Sequence, residues 1–548
     1  MTKIVLLGDL GADHEYHAGD EAMAEAAVDE LGTRLELEVV ALSGHPRSTR
    51  ERYGWTVVPR IGFGENCPTD DHREERLAQV VAAAGGDANA LAWADPAWEV
   101  IRAVAAVDGV LISGGGNLSS TWPEHIYERA ALARVAAVFT KPLVVSGQTF
   151  GPHLTARHGE LLAQTLTSAA LVGAREGASR AIAARLGVAP ERATWTVDDA
   201  AYLDDAGAWE PPVEAYVAAT FAPHSGLLGA ETYVELLARL VAGTVRLTGL
   251  DVVLVPHHGS TRNDTRSIDV ALHDAIRDAA GDVAARIHSL PILPARATAA
   301  AARGAQLVLS SRYHPAVFAL AAAVPTIGIA TDVYTSTKIG GAMDNYGAGA
   351  FTLPAASLLL SQAEEAVSQA WQERESIRAA LQAVGPSRRE HSSMWWDAVA
   401  KALAGSSDPA PDDLPAAPAL RAGGWSGPAA ALRGWTDALS GRISADKLVW
   451  GTGLVEAEHL TERVTELELE VATLRSSLDE AADDAENLRA AAHAAQLLAG
   501  ERLEPIAAAV AAQPTVEALT REINALKATR TFRYTRLPRL VYSRLRLR

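Results

Sequence analysis

Residues 109–147 read GVLISGGGNLSSTWPEHIYERAALARVAAVFTKPLVVSG. An apolar run at 109–113 leads into three glycines. A helical stretch follows from Trp122 to Thr140, and then a second apolar run at 142–147. Buried strand, helix and buried strand in that order form a βαβ unit, whose two strands lie parallel in one sheet. The alternation extends both ways. Runs at 4–8, 37–42 and 170–174 are further strand candidates, and Glu21 to Leu31 is a further helix. A second set of runs lies at 216–221, 251–255, 286–290, 306–310 and 326–330, separated by helical segments at about 229–242, 265–280, 294–303 and 315–323. Between the sets, Asp204 to Pro212 (DDAGAWEPP) has the composition of a linker. The expected fold class is therefore α/β, with one Rossmann-like domain over residues 1–205, a second over 213–404, and a cleft between them.

Residues 355–404 are expected to be helices that close the second domain and end in Trp395-Trp396. The stretch 405–428 is rich in Pro, Gly and Ala and reads as a flexible linker, followed by a short helical segment at 429–453. Over 454–500, Leu460, Val464, Leu467, Val471, Leu474 and Leu478 alternate spacings of four and three. That pattern argues for a coiled coil and hence a homodimer, with a long helix packed on the body as the alternative. In the helical or basic tail 501–548, Arg530 to Arg548 carries seven Arg and no acid among interleaved Tyr, Leu and Val. It fits an anionic membrane surface, or a basic strip folded on an acidic body.

The 548 residues carry a net charge of −18, which argues against non-specific binding of nucleic acid. The single cysteine, Cys67, allows no intrachain disulfide and no Cys-based zinc site, as in a reducing cytoplasm. The start of the chain has no signal-peptide pattern, and no run of about 18 apolar residues suggests a membrane span.

Unusual residues cluster at the ends of the candidate strands, where parallel sheets bind ligands. His17-Ala18-Gly19-Asp20-Glu21-Ala22 opens a helix after the first strand. It reads as an anion-binding turn or simply a turn. Gly114, Gly115 and Gly116 permit close backbone approach, to a ligand or to a helix. Gln148 ends the next strand. Arg175 follows another and can fork onto a carboxylate or phosphate, or pair with Glu176 at the surface. Asp198 and Asp199 follow a further short strand. In the second half, His257-His258 stands near Asp264, but neighbouring side chains of an extended chain diverge, so no metal site is expected. Arg312 and His314, two apart at a strand end, can share a face and receive an anion, with a buried core histidine as the rival reading.

Together these motifs resemble the polysaccharide pyruvyltransferase family over roughly residues 3–350. His17 to Ala22 resembles its Asn-x-Gly-Asp-Glu-Ala element, and Gly114 to Gly116 its triple-glycine loop. Gly147 to Pro152 resembles Gly-Gln-x-x-Gly-Pro, Arg175 to Ser179 resembles Arg-Asp-x-x-Ser, and Asp198 to Ala200 resembles Asp-Pro-Ala. Ser311 to His314 resembles the Arg-Leu-His signature, and Tyr334 to Lys338 a Tyr-x-x-Lys-type loop. His17 and Glu176 depart from the usual Asn and Asp.

The resemblance implies a glycosyltransferase-B-type arrangement and phosphoenolpyruvate as donor and co-substrate. The implied product is a pyruvate ketal on a cell-envelope glycan, lipid-linked in this reading, and no metal or redox cofactor takes part. It implies donor binding by Arg175, Arg312, Lys338, Gly114, Gly115, Gly116 and Gln148. Acid–base work would fall to His314, with Asp20 or His257 on the acceptor side, and acceptor contacts to His17, Asp198 and Asp264. The implied place of work is the cytoplasm, peripheral at the inner face of the membrane. A nucleotide-sugar glycosyltransferase of the same architecture and a non-catalytic scaffold are the alternatives.

Overall fold

The computed structural model describes residues 1–11, 16–64, 67–259, 267–406 and 408–452. Two sheets account for its two halves. In the first, the strands run in the order Thr56–Pro59, Leu37–Ser43, Thr2–Leu7, Gly109–Ile112, Leu143–Phe150, Leu171–Ala174 and Ala193–Trp195. Gly115–Leu118 pairs additionally with Leu143–Phe150. In the second, the order is Ile287–Ser289, Asp251–Leu254, Tyr216–Thr220, Leu307–Ser310, Thr326–Ala330 and Thr352–Pro354. Every pairing within the two sheets is parallel. Each central strand is buried on both faces by helices, which is why its sequence is a continuous Val, Ile and Leu run rather than an alternation. Both sheets start in the middle and reverse direction once, between Thr2–Leu7 and Gly109–Ile112 and between Tyr216–Thr220 and Leu307–Ser310. Such a switch point opens a crevice at the carboxyl ends of the strands.

The halves meet through small residues. Ala22, Met23 and Ala26 of helix Ala18–Gly32 pack on Ala295, Ala299 and Ala302 of helix Ala295–Arg303 and on Phe318. Alanine faces allow close helix approach, and Arg296 locks the contact to Glu25 at 2.9 Å and Asp29 at 2.8 Å. A two-residue antiparallel bridge pairs His17 with His258 and Tyr16 with Gly259, tying a loop of each half to the other.

Helix Arg374–Leu403 does more than close the second half. Its end returns to the first, where Trp395, Trp396, Val399 and Leu403 share a core with Ile4, Leu6, Leu111 and Val144. Gly173 is required there, since a Cβ would lie 2.6 Å from the Trp395 ring.

The stretch 405–428 is not the flexible linker its composition suggests. Its backbone is stitched down in passing: Ala410 donates to the Glu191 carbonyl, Leu414 to that of Trp195 and Leu420 to that of Gly347, each at 2.8 Å. Arg388 Nη2 donates to the Pro415 carbonyl at 2.6 Å. Leu414 and Trp425 are buried, the latter beside Phe351. Pro and Ala suit an extended strap that needs partners only at intervals. Helix Ser426–Thr452 follows, where a short helical segment is expected over 429–453. The coiled coil expected over 454–500 and the tail 501–548 lie outside the described residues. A chain ending at Ala404 should melt lower than one ending at Asp446, having lost the buried Leu414 and Trp425 at about 1.5–3 kcal/mol each. Equal melting temperatures would mean that the strap adds nothing.

Candidate functional site

The crevice is closed from above by two helices of the second half, Tyr313–Ala321 and Val333–Asp344. Below them lie the strand ends of the first sheet. Arg175 follows strand Leu171–Ala174 and is buried. Its Nη1 donates to Asp198 Oδ2 at 2.9 Å, its Nε to Thr149 Oγ1 at 2.8 Å, and its guanidinium lies 4.1 Å from the centre of the Tyr313 ring. Glu176 is buried too, 3.7 Å away, so the surface ion pair is not what forms. Asp198, expected at the acceptor, is instead buried and committed to Arg175 and to the Ala200 N–H at 2.9 Å.

His314 sits in the first turn of helix Tyr313–Ala321 with its Nε2 3.8 Å from Asp198 Oδ1. That nitrogen is enclosed and has no hydrogen-bond partner among the described residues. Burial first, then the charges of Arg175 and Lys338, hold the imidazole well below its ordinary pKa, so it is neutral near pH 7. The ring fits only because residue 19 is glycine: a Cβ there would lie 1.8 Å from His314 Nδ1. Gly19→Ala should therefore lower activity sharply even though alanine is the better helix former by about 1 kcal/mol. Full activity in that variant would show that the His314 position is unimportant.

Lys338 reaches the same space, its Nζ 4.0 Å from the centre of the Tyr334 ring and 5.8 Å from that of Tyr313. Burial and the nearby Arg175 push it down to about 7. Asp20, on the floor of the crevice, is pushed up to about 7 by burial and by Asp9. Its Oδ2 is 3.8 Å from His17 Nδ1, and the His17 ring lies against that of His258, tilted by 42° with centres 3.9 Å apart.

The three glycines have different reasons. At Gly114 a Cβ would meet Met23 Sδ at 2.4 Å, and at Gly115 it would meet the Gln148 amide at 3.1 Å. Only Gly116 faces the crevice, within 2.7 Å of Tyr334 Oη and 2.8 Å of Arg175 Nη2 by the same measure, and Tyr334 Oη donates to its carbonyl. Gln148 is buried with its amide nitrogen on the Ser113 carbonyl, which holds the glycine strand in place.

Arg312 and His314 do not share a face. The strand ends at Ser310, and the chain turns into a helix at Tyr313 with Arg312 as its N-cap, which ends the period of two. Arg312 pairs with Asp269, whose other oxygen accepts from the His257 and His258 backbone N–H groups at 3.1 and 3.2 Å. His257 is buried, pushed down to about 3 by burial and Arg312, with Nδ1 toward the Val255 carbonyl. Asp264 lies outside the described residues.

Sequence reading missed a buried cluster beside Asp20. Asp9, two residues after the first strand, accepts from Arg129 Nη2 at 2.9 and 3.1 Å and from Arg60 Nη1 at 3.2 Å. Arg60 also binds Glu128, its Nε donating at 2.9 Å. The available signal was Gly8-Asp9, an acid at a strand end. Among the described residues no group of three or more His, Cys, Asp or Glu could hold a metal ion.

The family model described as Polysaccharide pyruvyl transferase matches residues 17–333. No curated protein matches the chain. Among solved structures, UDP-GlcNAc 2-epimerase from Neisseria meningitidis bound to UDP-GlcNAc is similar at 9% identity over 74% of this chain and 100% of that chain, with a TM-score of 0.48. Anabaena Alr3699/HepE in complex with UDP and glucose is similar at 13% identity over 74% and 100%, with a TM-score of 0.45.

Proposed function

The chain belongs to the polysaccharide pyruvyl transferase family, and from that premise we propose that it moves the pyruvyl group of phosphoenolpyruvate onto a sugar of a cell-envelope glycan, forming a pyruvate ketal. The observation that carries this reading is that Arg175 and Lys338 meet beside Gly116 and both act on a neutral His314 seated against Gly19, the histidine Nε2 having no hydrogen-bond partner among the described residues. The donor carries a phosphate and a carboxylate, and a buried guanidinium with a neighbouring ammonium suits both. Arg312 stands further along the second half, on Asp269, and would meet the donor only at the crevice edge.

In the proposed reaction the donor's methylene carbon takes a proton, leaving an oxocarbenium-like centre. One sugar hydroxyl attacks it and phosphate departs. A second hydroxyl closes the ketal ring. The two hydroxyls together give up two protons, which balance the one taken up at carbon and the one that leaves with phosphate. His314 is the group nearest the cations. Beside two positive charges it rejects a proton, but a bound anion would offset Arg175 and Lys338 and let it carry one to the donor or steady the leaving phosphate. Asp20, at about 7, can accept a proton from the acceptor. Incubation with phosphoenolpyruvate and a panel of lipid-linked sugars should release phosphate and add mass to one acceptor; turnover with nucleotide sugars in place of that donor would reject the reading.

Lys338 loses its proton above about 7 and Asp20 gains its charge over the same range, so both changes make the crevice more negative as pH rises. Phosphoenolpyruvate affinity, measured by calorimetry, should weaken from about pH 6 to pH 8.5, and Lys338→Arg should flatten the profile. An unchanged slope in that variant would clear Lys338 of the role.

The reading extends to place and assembly. The two domains would adopt the glycosyltransferase-B-type arrangement. The heptads over 454–500 would pair two copies, and the Arg-rich tail would rest on anionic lipid at the inner face of the membrane, near lipid-linked acceptors. Among the described residues no helix is long and apolar enough to cross a membrane.

A further inference from the structure

We propose that Asn117, Trp122, Glu124 and His125 form the subsite that holds the acceptor sugar; the proposal rests on the pyruvyltransfer reading for what is done to that sugar. These residues link strand Gly115–Leu118 to helix Pro123–Val138, and all four are half-buried. Trp122 lies against Tyr334 with ring centres 4.8 Å apart, one ring away from Lys338. Pyranosides are bound by an aromatic face together with planar polar side chains that meet their hydroxyls. An amide, an imidazole and a carboxylate beside an indole supply that set.

The subsite is rigid because the buried cluster stands behind it. His125 Nδ1 is 3.2 Å from Asp9 Oδ1, 3.1 Å from Asn117 Nδ2 and 2.8 Å from Arg129 Nη1. Asn117 Nδ2 also donates to Asp9, while its Oδ1 is enclosed without a partner among the described residues. The two arginines behind are matched by Asp9 and Glu128, so no positive charge is left over for a phosphate. A neutral polyol fits this balance, and an anion does not.

The position relative to the donor also fits. Successive residues of a strand point to opposite faces. Gly116 faces Arg175 and Lys338, and Asn117 faces Asp9 and His125, so the strand is a ridge between two groups of polar side chains. The charges of Asp9 and His125 and those of Lys338 and Arg175 all act on Asp20. A sugar on the Asn117 side would present its hydroxyls across the ridge to the donor.

The test is saturation-transfer NMR on the full chain with methyl glycosides of glucose, galactose, mannose and their N-acetylated counterparts, beside calorimetry with phosphoenolpyruvate. Trp122→Ala, Asn117→Ala and the milder Glu124→Gln should each weaken glycoside binding about tenfold or more. Phosphoenolpyruvate affinity should stay at the wild-type value, which also reports an intact fold. Glycoside binding at wild-type strength in all three variants, or no binding of the panel by the wild type, overturns the subsite. A wild type that binds glycosides through these residues yet neither binds phosphoenolpyruvate nor releases phosphate keeps the subsite and removes the pyruvyltransfer reading instead.

Discussion

Arg175→Gln should cost about 3–5 kcal/mol of stability, because it leaves Asp198 as a buried charge without its partner. Donor binding should be lost in the same variant. Asp198→Asn in the Arg175→Gln background should restore much of the stability, since no unpaired charge then remains, without restoring turnover. Denaturant unfolding of the four proteins in that cycle reads the coupling directly. If the single and double variants unfold alike, the pair is not what holds the Arg175 side chain, and Thr149 and the Tyr313 ring must suffice.

His314→Asn should behave in the opposite way. Its Nε2 makes no hydrogen bond among the described residues that the fold depends on, so stability should change by no more than about 1 kcal/mol. Turnover should fall by about 10²–10⁴, the range for a group that handles a proton or a developing charge. Wild-type turnover in a folded His314→Asn protein would remove the residue from the chemistry. The contrast is diagnostic: one buried cation supports the fold and the donor together, whereas the histidine is kept for the reaction.

What could be read in the chain beforehand follows from how local the cause is. The long central strands are apolar along their own length, so Ile4 to Leu7 or Val252 to Leu254 declare themselves. The edge strands Thr56–Pro59 and Thr352–Pro354 are short and end in proline, which sheet edges tolerate and sequence patterns read as loop. The Tyr16–His17 bridge is invisible because its partner, His258–Gly259, lies more than two hundred positions away. The crevice residues Gly19, Arg175, His314 and Lys338 stand in compact motifs and were legible as such. The cluster around Asp9 was not, since Arg60 and Arg129 come to it from 51 and 120 positions along the chain. A spacing of two puts Arg312 and His314 on one face only while the backbone stays extended, and it does not. The strap at 405–428 shows the limit of composition: Pro and Ala leave a segment without regular structure, but its neighbours decide whether it moves.

The returning end of helix Arg374–Leu403 has a consequence for how the protein is made. The first sheet is laid down in the first 195 residues, yet one face of its core waits for Trp395 and Trp396. A nascent chain that has just cleared the ribosome with that sheet complete would still show an apolar seat of Ile4, Leu6, Leu111 and Val144 to solvent. At a synthesis rate of about 5–20 residues per second, roughly two hundred further residues take about 10–40 s to arrive. During that interval the second sheet must form without competing for the seat. The N-terminal half is thus the first to be synthesised and among the last to be finished, and the exposed seat is where a chaperone would be needed.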